Sequence, residues 1–350
     1  MARERIVFSR DRKTAVFYDP RLGFQRSEVE CEIRKDPLTG ATSRIAHLGA
    51  ATLAKPDFSI FVSEDAQLMC PFCPQNLDKV TPRFPDWICP EGRLSYGEAT
   101  VVPNLLPYDA HSAVVVMGRQ HFVGLEQFTV EVLVNAFQAA VQYARRVRKA
   151  CSDLPYTLLA WNYMPPSGGT QVHPHLQTFV TSYPGNQYCQ EQAASRQYYD
   201  HWGCSYWADL IRTEKEAGER YLGATGAVEW LSAFAPMGMA GDILIVFPNK
   251  YSLFDLTSDD WTDFTHGLVR AFKYFQATSV YSFNLAFYPG TEGQQYFWVH
   301  ARMTPRFPLH PVLNAPDVNV FQLLYREGLA IRTPEVLASE LRPYFQGQDG

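Results

Sequence analysis

The order strand, strand, helix, strand, loop, strand occurs twice in this chain, and that repeat narrows the available folds more than any other feature. In the first copy, residues 99–104 and 113–117 have the apolar, β-branched character of strands. Residues 128–149 place Val130, Val134, Phe137, Ala140, Val141 and Ala144 at the three- and four-residue steps of a helix. Arg145, Arg146, Arg148 and Lys149 occupy its last turn, where cations suit the helix dipole. Residues 156–161 form a strand, and a loop then leads to a strand carrying His173 and His175. The second copy runs through 228–233, 243–247, a helix capped by Thr257 or Ser258, 279–287 and 296–303. Such a duplication predicts an α+β fold of two tandem halves, each an antiparallel sheet with packed helices. The expected divisions are an N-terminal extension at 1–59, a first half at 60–185, a connecting segment at 186–219 and a second half at 220–345. Laid together, the copies set His173 opposite His300 and His175 opposite Arg302. One half then carries chemistry and the other is scaffold.

Bulk properties remove several functions. A net charge of -5 gives no basis for nucleic-acid binding through phosphate neutralisation. No run of about 18 apolar residues is present, so no membrane span is expected. The charged stretch 1–13 contains only Ile6-Val7-Phe8 as an apolar run, which does not make a secretory leader. Seven unevenly spaced cysteines fit a reducing cytoplasm better than a disulfide framework.

The chemistry concentrates in residues 162–177, N-Y-M-P-P-S-G-G-T-Q-V-H-P-H-L-Q. On an extended strand His173, His175 and Gln177 share one face. Ser167-Gly168-Gly169-Thr170 before them reads either as a hairpin turn or as a backbone cradle for an anion. An imidazole can attack phosphorus and split one transfer into two displacements. A neighbouring amide can bond a non-bridging oxygen as charge shifts. Pro174 fixes the backbone between the two histidines, so that a main-chain carbonyl can hold one ring nitrogen and leave the other to attack.

Cys70-Pro71-Phe72-Cys73 has the spacing of half a zinc site, with redox and incidental readings in competition. No helical pattern is evident at the second cysteine, which weighs against redox. A tetrahedral site needs two further ligands, and His121 and His173 are the candidates. Four protein ligands would make such a zinc structural and would hold His175 in place through His173.

Asn162, Gly168, Thr170, His173-Pro174-His175 and Gln177 together resemble the signature of galactose-1-phosphate uridylyltransferases, a branch of the histidine-triad superfamily. Arg34-Lys35-Asp36-Pro37-Leu38-Thr39-Gly40 is similar to that family's N-terminal motif, Cys70–Cys73 to its zinc knuckle, and Asn104 to its nucleoside-contacting asparagine. The resemblance covers residues 32–345. It implies that His175 takes a nucleoside monophosphate, UMP first, from a nucleotide sugar as a covalent adduct and passes it to a sugar 1-phosphate. It further implies that Gln177 bonds the transferred group, that Gly168, Gly169 and Thr170 with Asn162 and Asn104 bind substrate, and that Zn2+ is held by Cys70, Cys73, His121 and His173. A homodimer is expected on the same ground.

The chain also departs from the family. The arginine pair that follows the N-terminal motif is replaced by a stretch with only His47 and Lys55 as cationic stand-ins. The second-half metal pair reads His300-Ala301-Arg302, so a second metal is expected to be absent despite Glu191 at a family-like spacing. The sugar-contacting pair appears as Tyr325-Arg326-Glu327, with Tyr325 and Glu327 as the substrate-binding candidates. These departures keep open a nucleotide-sugar phosphorylase or hydrolase acting through the same histidine. Two further alternatives are a non-catalytic, zinc-stabilised nucleotide-binding protein and a zinc hydrolase.

Overall fold

The computed structural model describes residues 5–46, 57–309 and 316–347. A long hairpin, β1 (Ser9–Asp19) and β2 (Gln25–Lys35), leads into β3 (Thr42–Ala46). Short helices α1 (Ser59–Val62), α2 (Glu64–Met69) and α3 (Pro74–Val80) surround the cysteine pair. The first half then runs β4 (Leu94–Tyr96), β5 (Ala99–Pro103), β6 (His111–Val116), α4 (Val130–Ala150), β7 (Tyr156–Tyr163) and β8 (His175–Thr181). Helices α5 (Asn186–Trp202) and α6 (Tyr206–Ala217) connect it to the second half. That half runs β9 (Tyr221–Thr225), β10 (Val228–Ser232), β11 (Ile243–Val246), α7 (Ser258–Ala277), β12 (Ser282–Tyr288) and β13 (His300–Arg306). One-turn helix α8 (Val320–Leu323), strand β14 (Gly328–Ala330) and helix α9 (Pro334–Phe345) follow.

Ten strands form one antiparallel sheet in the order β4-β5-β6-β8-β7-β12-β13-β11-β10-β9. Read inward from the opposite edge, the second five follow the same order as the first, and β7 pairs with β12 where the halves meet. The expected α+β fold of two tandem halves is therefore what the chain adopts, with one more strand at the start of each half (β4 and β9) than the apolar pattern showed. The helices form for the reasons visible in the sequence. Thr257 caps α7 by accepting from Asp260 N while Asp260 accepts from Thr257 N. α4 buries Leu133, Ala136, Phe137, Ala140 and Ala144 along one stripe, each large apolar side chain contributing about 1.5–3 kcal/mol.

One face of the sheet carries the main core. There α4, α7 and α9 pack on Val101, Val115, Leu176, Trp230, Ile245 and Met303. On the opposite face the two halves differ. Over the second half, Tyr188 of α5 and Tyr206, Trp207 and Leu210 of α6 seal Leu231, Leu244 and Val246. Over the first half, Phe72 and Leu77 lie against Val102, Val114 and Val116, while Tyr156 and Leu158 of β7 reach the cluster under α5 and α6.

Residues 1–30 gave no strand signal, because the side chains along β1 and most of β2 are exposed on both faces and show no alternation. The hairpin instead joins a small sheet of order β1-β2-β3-β14, closed by a strand from the C-terminal region. Buried Arg34 ties it down further, bonding Glu335 at the start of α9 at 2.9 and 2.8 Å. A turn follows as expected, with Asp36 Oδ1 accepting from Leu38 N, Thr39 N and Thr39 Oγ1. No helix among the described residues is long and apolar enough to cross a membrane.

Candidate active site and metal centre

Cys70 ends α2 and Cys73 is the residue before α3, whose first position is Pro74. A helix does start at the second cysteine, against the sequence expectation. Proline at the first helical position lacks only an N–H that has no partner there anyway, so Pro74 starts the helix rather than blocking it. The reduced pair meets His121 and His173, and one donor atom from each of the four lies within 4.8 Å of the others. Cys73 Sγ is 3.3 Å from His121 Nδ1, and both thiols are 3.7 Å from His173 Nδ1. A tetrahedron with ligand distances of about 2.0–2.3 Å has edges of roughly 3.3–3.8 Å, so the spacing suits one metal ion.

The protonation pattern fits as well. His173 Nε2 donates to Gly118 O and His121 Nε2 to Phe61 O, both at 2.9 Å. Carbonyls only accept, so each ring keeps its proton on Nε2 and turns the lone pair of Nδ1 toward the thiols. Burial pushes the His173 imidazole down to about 4, which leaves it neutral at pH 7. Burial and the neighbouring Cys70 raise the Cys73 thiol. A cation would reverse that last effect by stabilising thiolates.

His175 begins β8, opposite Val116 of β6. Its Nδ1 donates to its own chain two residues back, at His173 O (2.8 Å). The proton is thereby fixed on Nδ1, and burial lowers the ring's pKa, so Nε2 presents a lone pair. Nε2 has no partner among the described residues. Phe72, carried between the two cysteines, lies 5.2 Å from the ring. Gln177 follows on the same face, paired with Val114 and Ala160, and its amide is likewise without a partner among the described residues. Asn104 closes the far end of this face, bonding Ser112 and Leu106 N.

The loop between β7 and β8 is under constraint. Met164 has φ 68° and ψ 160°, a region that residues with side chains seldom occupy and that costs of order 1–3 kcal/mol. A Cβ on Gly169 would stand 2.9 Å from Asn162 O and 3.2 Å from Met164 O, so only glycine fits. The N–H groups of Gly169 and Thr170 have no backbone partner among the described residues. Asn162 is itself engaged: its Oδ1 accepts from Asn284 Nδ2 at 2.6 Å, and the same amide donates to Ser167 O at 2.9 Å.

No protein-family model matches the chain. An uncharacterized protein of Archaeoglobus fulgidus is 27% identical over 322 residues, covering 92% of this chain and 94% of that one. Among solved structures, an ADP-glucose phosphorylase from Arabidopsis thaliana with bound ADP-glucose superposes with a TM-score of 0.67 at 15% identity, over 89% of this chain and 98% of that one. A galT-like protein from the same plant gives the same values. A uridylyltransferase mutant gives 0.64 at 19% identity, over 91% and 99%. The chain has the uridylyltransferase fold.

Within that fold, not every expected residue reaches the histidine. Glu327 accepts from Arg44 Nε (2.7 Å) and Thr42 Oγ1 (2.8 Å), and Tyr325 is 69% exposed. Glu327 lines a separate cavity of about 340 Å3 with Asp36, Gln187 and Arg302, away from residues 162–177. Neither Tyr325 nor Glu327 is thus brought to His175 of the same chain. His47 and Lys55 lie outside the described residues.

The alignment of the two halves also needs correcting. Val116 pairs with His175 and Met117 N donates to Pro174 O; Val246 pairs with His300 and Phe247 N donates to Val299 O. His300 Nδ1 donates to Trp298 O as His175 Nδ1 does to His173 O. His300 is therefore the counterpart of His175, and Arg302 that of Gln177. Sequence reasoning missed Phe72 and Asn284. Phe72 stands between two expected ligands, which could have marked it; Asn284 carries no motif.

Proposed function

We propose that the protein is a nucleotidylyltransferase of the galactose-1-phosphate uridylyltransferase type. It moves a nucleoside monophosphate from a nucleotide sugar to a phosphate-bearing acceptor, with a sugar 1-phosphate first among acceptors and UMP first among nucleotides. The observation that carries this reading is the His175 ring, whose Nδ1–H is held by His173 O while Nε2 keeps a lone pair on the face that also carries Gln177. Nε2 attacks the α-phosphorus, the P–N bond forms, and the P–O bond to the sugar phosphate breaks with its electron pair leaving on oxygen. The resulting ring cation is stabilised because its remaining proton already points at a carbonyl. The amide of Gln177 and the N–H groups of Gly169 and Thr170 bond the phosphoryl oxygens. The apolar floor of Val102, Val114 and Val116 with Phe72 supports the nucleoside.

Zinc at Cys70, Cys73, His121 and His173 belongs to this proposal in a structural role, fixing His173 and so the carbonyl that orients His175. A second reading, with inorganic phosphate as acceptor, is favoured by one observation: Glu327 is bound to Arg44 and Thr42, so one chain offers no acidic sugar contact at the histidine.

The test is intact-protein mass spectrometry after exposure to UDP- and ADP-hexoses. A nucleoside monophosphate adduct is expected, discharged by hexose 1-phosphate or phosphate and missing in His175→Asn. An adduct that persists in that variant removes the covalent mechanism.

A further inference from the structure

The loop between β7 and β8 is held by a chain of hydrogen bonds that begins in the second half. Arg306, the last residue of β13, donates from Nε to buried Asp317 at 2.7 Å and from Nη1 to Asn284 Oδ1 at 2.5 Å. Asn284, on β12, donates from Nδ2 to Asn162 Oδ1 at 2.6 Å and to Ser167 O at 2.9 Å. Asn162 lies directly opposite Asn284, where β7 pairs with β12. Its own Nδ2 has no partner among the described residues.

The direction of each bond in this chain is forced. A guanidinium only donates and a peptide carbonyl only accepts. The atom of Asn284 that meets Arg306 is therefore oxygen, and the atom that meets Ser167 O is nitrogen. The two requirements agree on one amide orientation. Both N–H groups of that amide are then used, one on Ser167 O and one on Asn162. The atom of Asn162 that meets Asn284 must in turn be oxygen, which leaves its N–H groups on the side away from β12. That side belongs to the histidine strand. Ala160 pairs with Gln177, and Asn162 follows Ala160 on the same face as His175 precedes Gln177. Asn162 therefore stands beside His175, about one strand spacing, roughly 5 Å, away.

We propose that Asn284, Arg306 and Asp317 are positioning residues, which hold the Asn162 amide with its N–H groups toward the phosphoryl group that His175 receives. This rests on the transfer reading above and gives the second half a part in it. As Nε2 bonds the phosphorus and the P–O bond to the sugar phosphate breaks, a donor already fixed beside the ring bonds a non-bridging oxygen without having to turn. An unconstrained asparagine can present its oxygen instead, which repels the same group. The relay from Asp317 to Asn162 sets the sign of that contact.

Asn284→Asp is the sharpest variant, because it keeps the shape and the bond to Arg306 but has no N–H. Asn162 then turns its N–H groups to the new carboxylate and its oxygen to the site. Loading of His175 from saturating nucleotide sugar is expected to fall about a hundredfold, with little change in KM. In an Asn162→Ala background the same change is expected to add nothing, since both act through one donor. A purely structural role for Asn284, through Ser167 O, lowers loading equally in both backgrounds. That result overturns the proposal, as does unchanged loading in the single variant. Arg306→Gln with Asp317→Asn leaves no buried charge unpaired and frees Asn284 to turn over, so it is the second variant should Asn284→Asp not fold. A fall of about three- to tenfold is expected there, again absent in the Asn162→Ala background. The orientation is also read without any reaction, by 15N NMR of the side-chain amides. The Asn162 amide protons are expected to move downfield in Asn284→Asp as they turn to the carboxylate. If the unaltered protein forms no adduct, that shift keeps the relay and discards the transfer. An unmoved Asn162 resonance discards the relay.

Discussion

His175 and His300 stand at the same point of two copies of one unit, each opening a strand and each donating from Nδ1 to the carbonyl two residues before it. Their other nitrogens differ. His175 Nε2 has no partner among the described residues, whereas His300 Nε2 meets Glu191 Oε2 at 2.8 Å inside a buried shell. Trp207 stacks on the His300 ring at 3.8 Å and Tyr288 lies parallel to it at 5.0 Å. With Nδ1 on a carbonyl and Nε2 on a carboxylate, both His300 ring nitrogens are engaged and neither is free for an incoming group. Gln177, able to bond a phosphoryl oxygen, is matched by Arg302, which is held by Asp242 at 2.8 Å. What separates the halves is their cover. α5 and α6 close the second face, while among the described residues the cysteine-bearing turn covers part of the first. The same backbone device leaves a ring nitrogen without a partner among the described residues in one half and locks a core His–Glu pair in the other.

The largest expected effect breaks this comparison directly. His175→Asn should lower nucleotidyl transfer by at least about 10^4-fold, with little change in thermal midpoint because the ring is partly exposed. His300→Asn should do the reverse, keeping adduct formation while lowering the midpoint. Paired mass spectrometry and calorimetry read both. Loss of the adduct in a well-folded His300→Asn protein would end the division of labour.

How much of this the sequence disclosed follows from how each part is encoded. The first-half site is nearly contiguous, from Asn162 to Gln177, and its candidate metal ligands include a closely spaced cysteine pair. The second half has no such landmark. A strand repeats every two residues, so sliding the alignment by two keeps each side chain on its own face and no apolar pattern objects. That is why His300 was set against His173 rather than His175. Pro71 and Pro74 suggested a loop, and only the geometry shows Pro74 as a helix start. Asn284 reaches the loop because β12 pairs with β7, a contact between halves that no local pattern specifies.

Removing the metal centre tests how the first half keeps its shape. Cys70→Ser should lose bound zinc and destabilise the protein by several kcal/mol, since binding free energy at a closed site is also folding free energy. Metal analysis and melting of the purified proteins check it. Equal zinc content and equal midpoint would show that packing alone holds His173.

Glu191→Gln tests the sealed half. Leaving His300 without its counter-charge should cost roughly 3 kcal/mol and leave adduct formation intact. Burial works against ionisation of Glu191, yet the His300 hydrogen bond and charge outweigh it and lower its pKa from 4.5. Its contribution is complete above pH 4.5 and is lost as pH falls through the lower folded value. Acid unfolding should therefore begin at higher pH in the folded protein once Glu191 is replaced. Coincident acid transitions for the two proteins would show that the pair contributes nothing.

The smallest effect concerns the residues that resemblance assigns to the sugar and the structure keeps from His175. Glu327 pairs with Arg44, which is 43% exposed, so Glu327→Gln should cost less than about 1 kcal/mol. Within one chain it has no route to the adduct, and the rate of His175 loading should stay within about threefold. Turnover with a hexose 1-phosphate is the sharper measurement, because it reports the acceptor side. If turnover falls tenfold or more while melting and loading hold, Glu327 reaches the histidine of a second copy, and the site in the first half is completed by another chain. If all three hold, the altered Tyr325-Arg326-Glu327 segment serves the fold through Arg44 and Thr42.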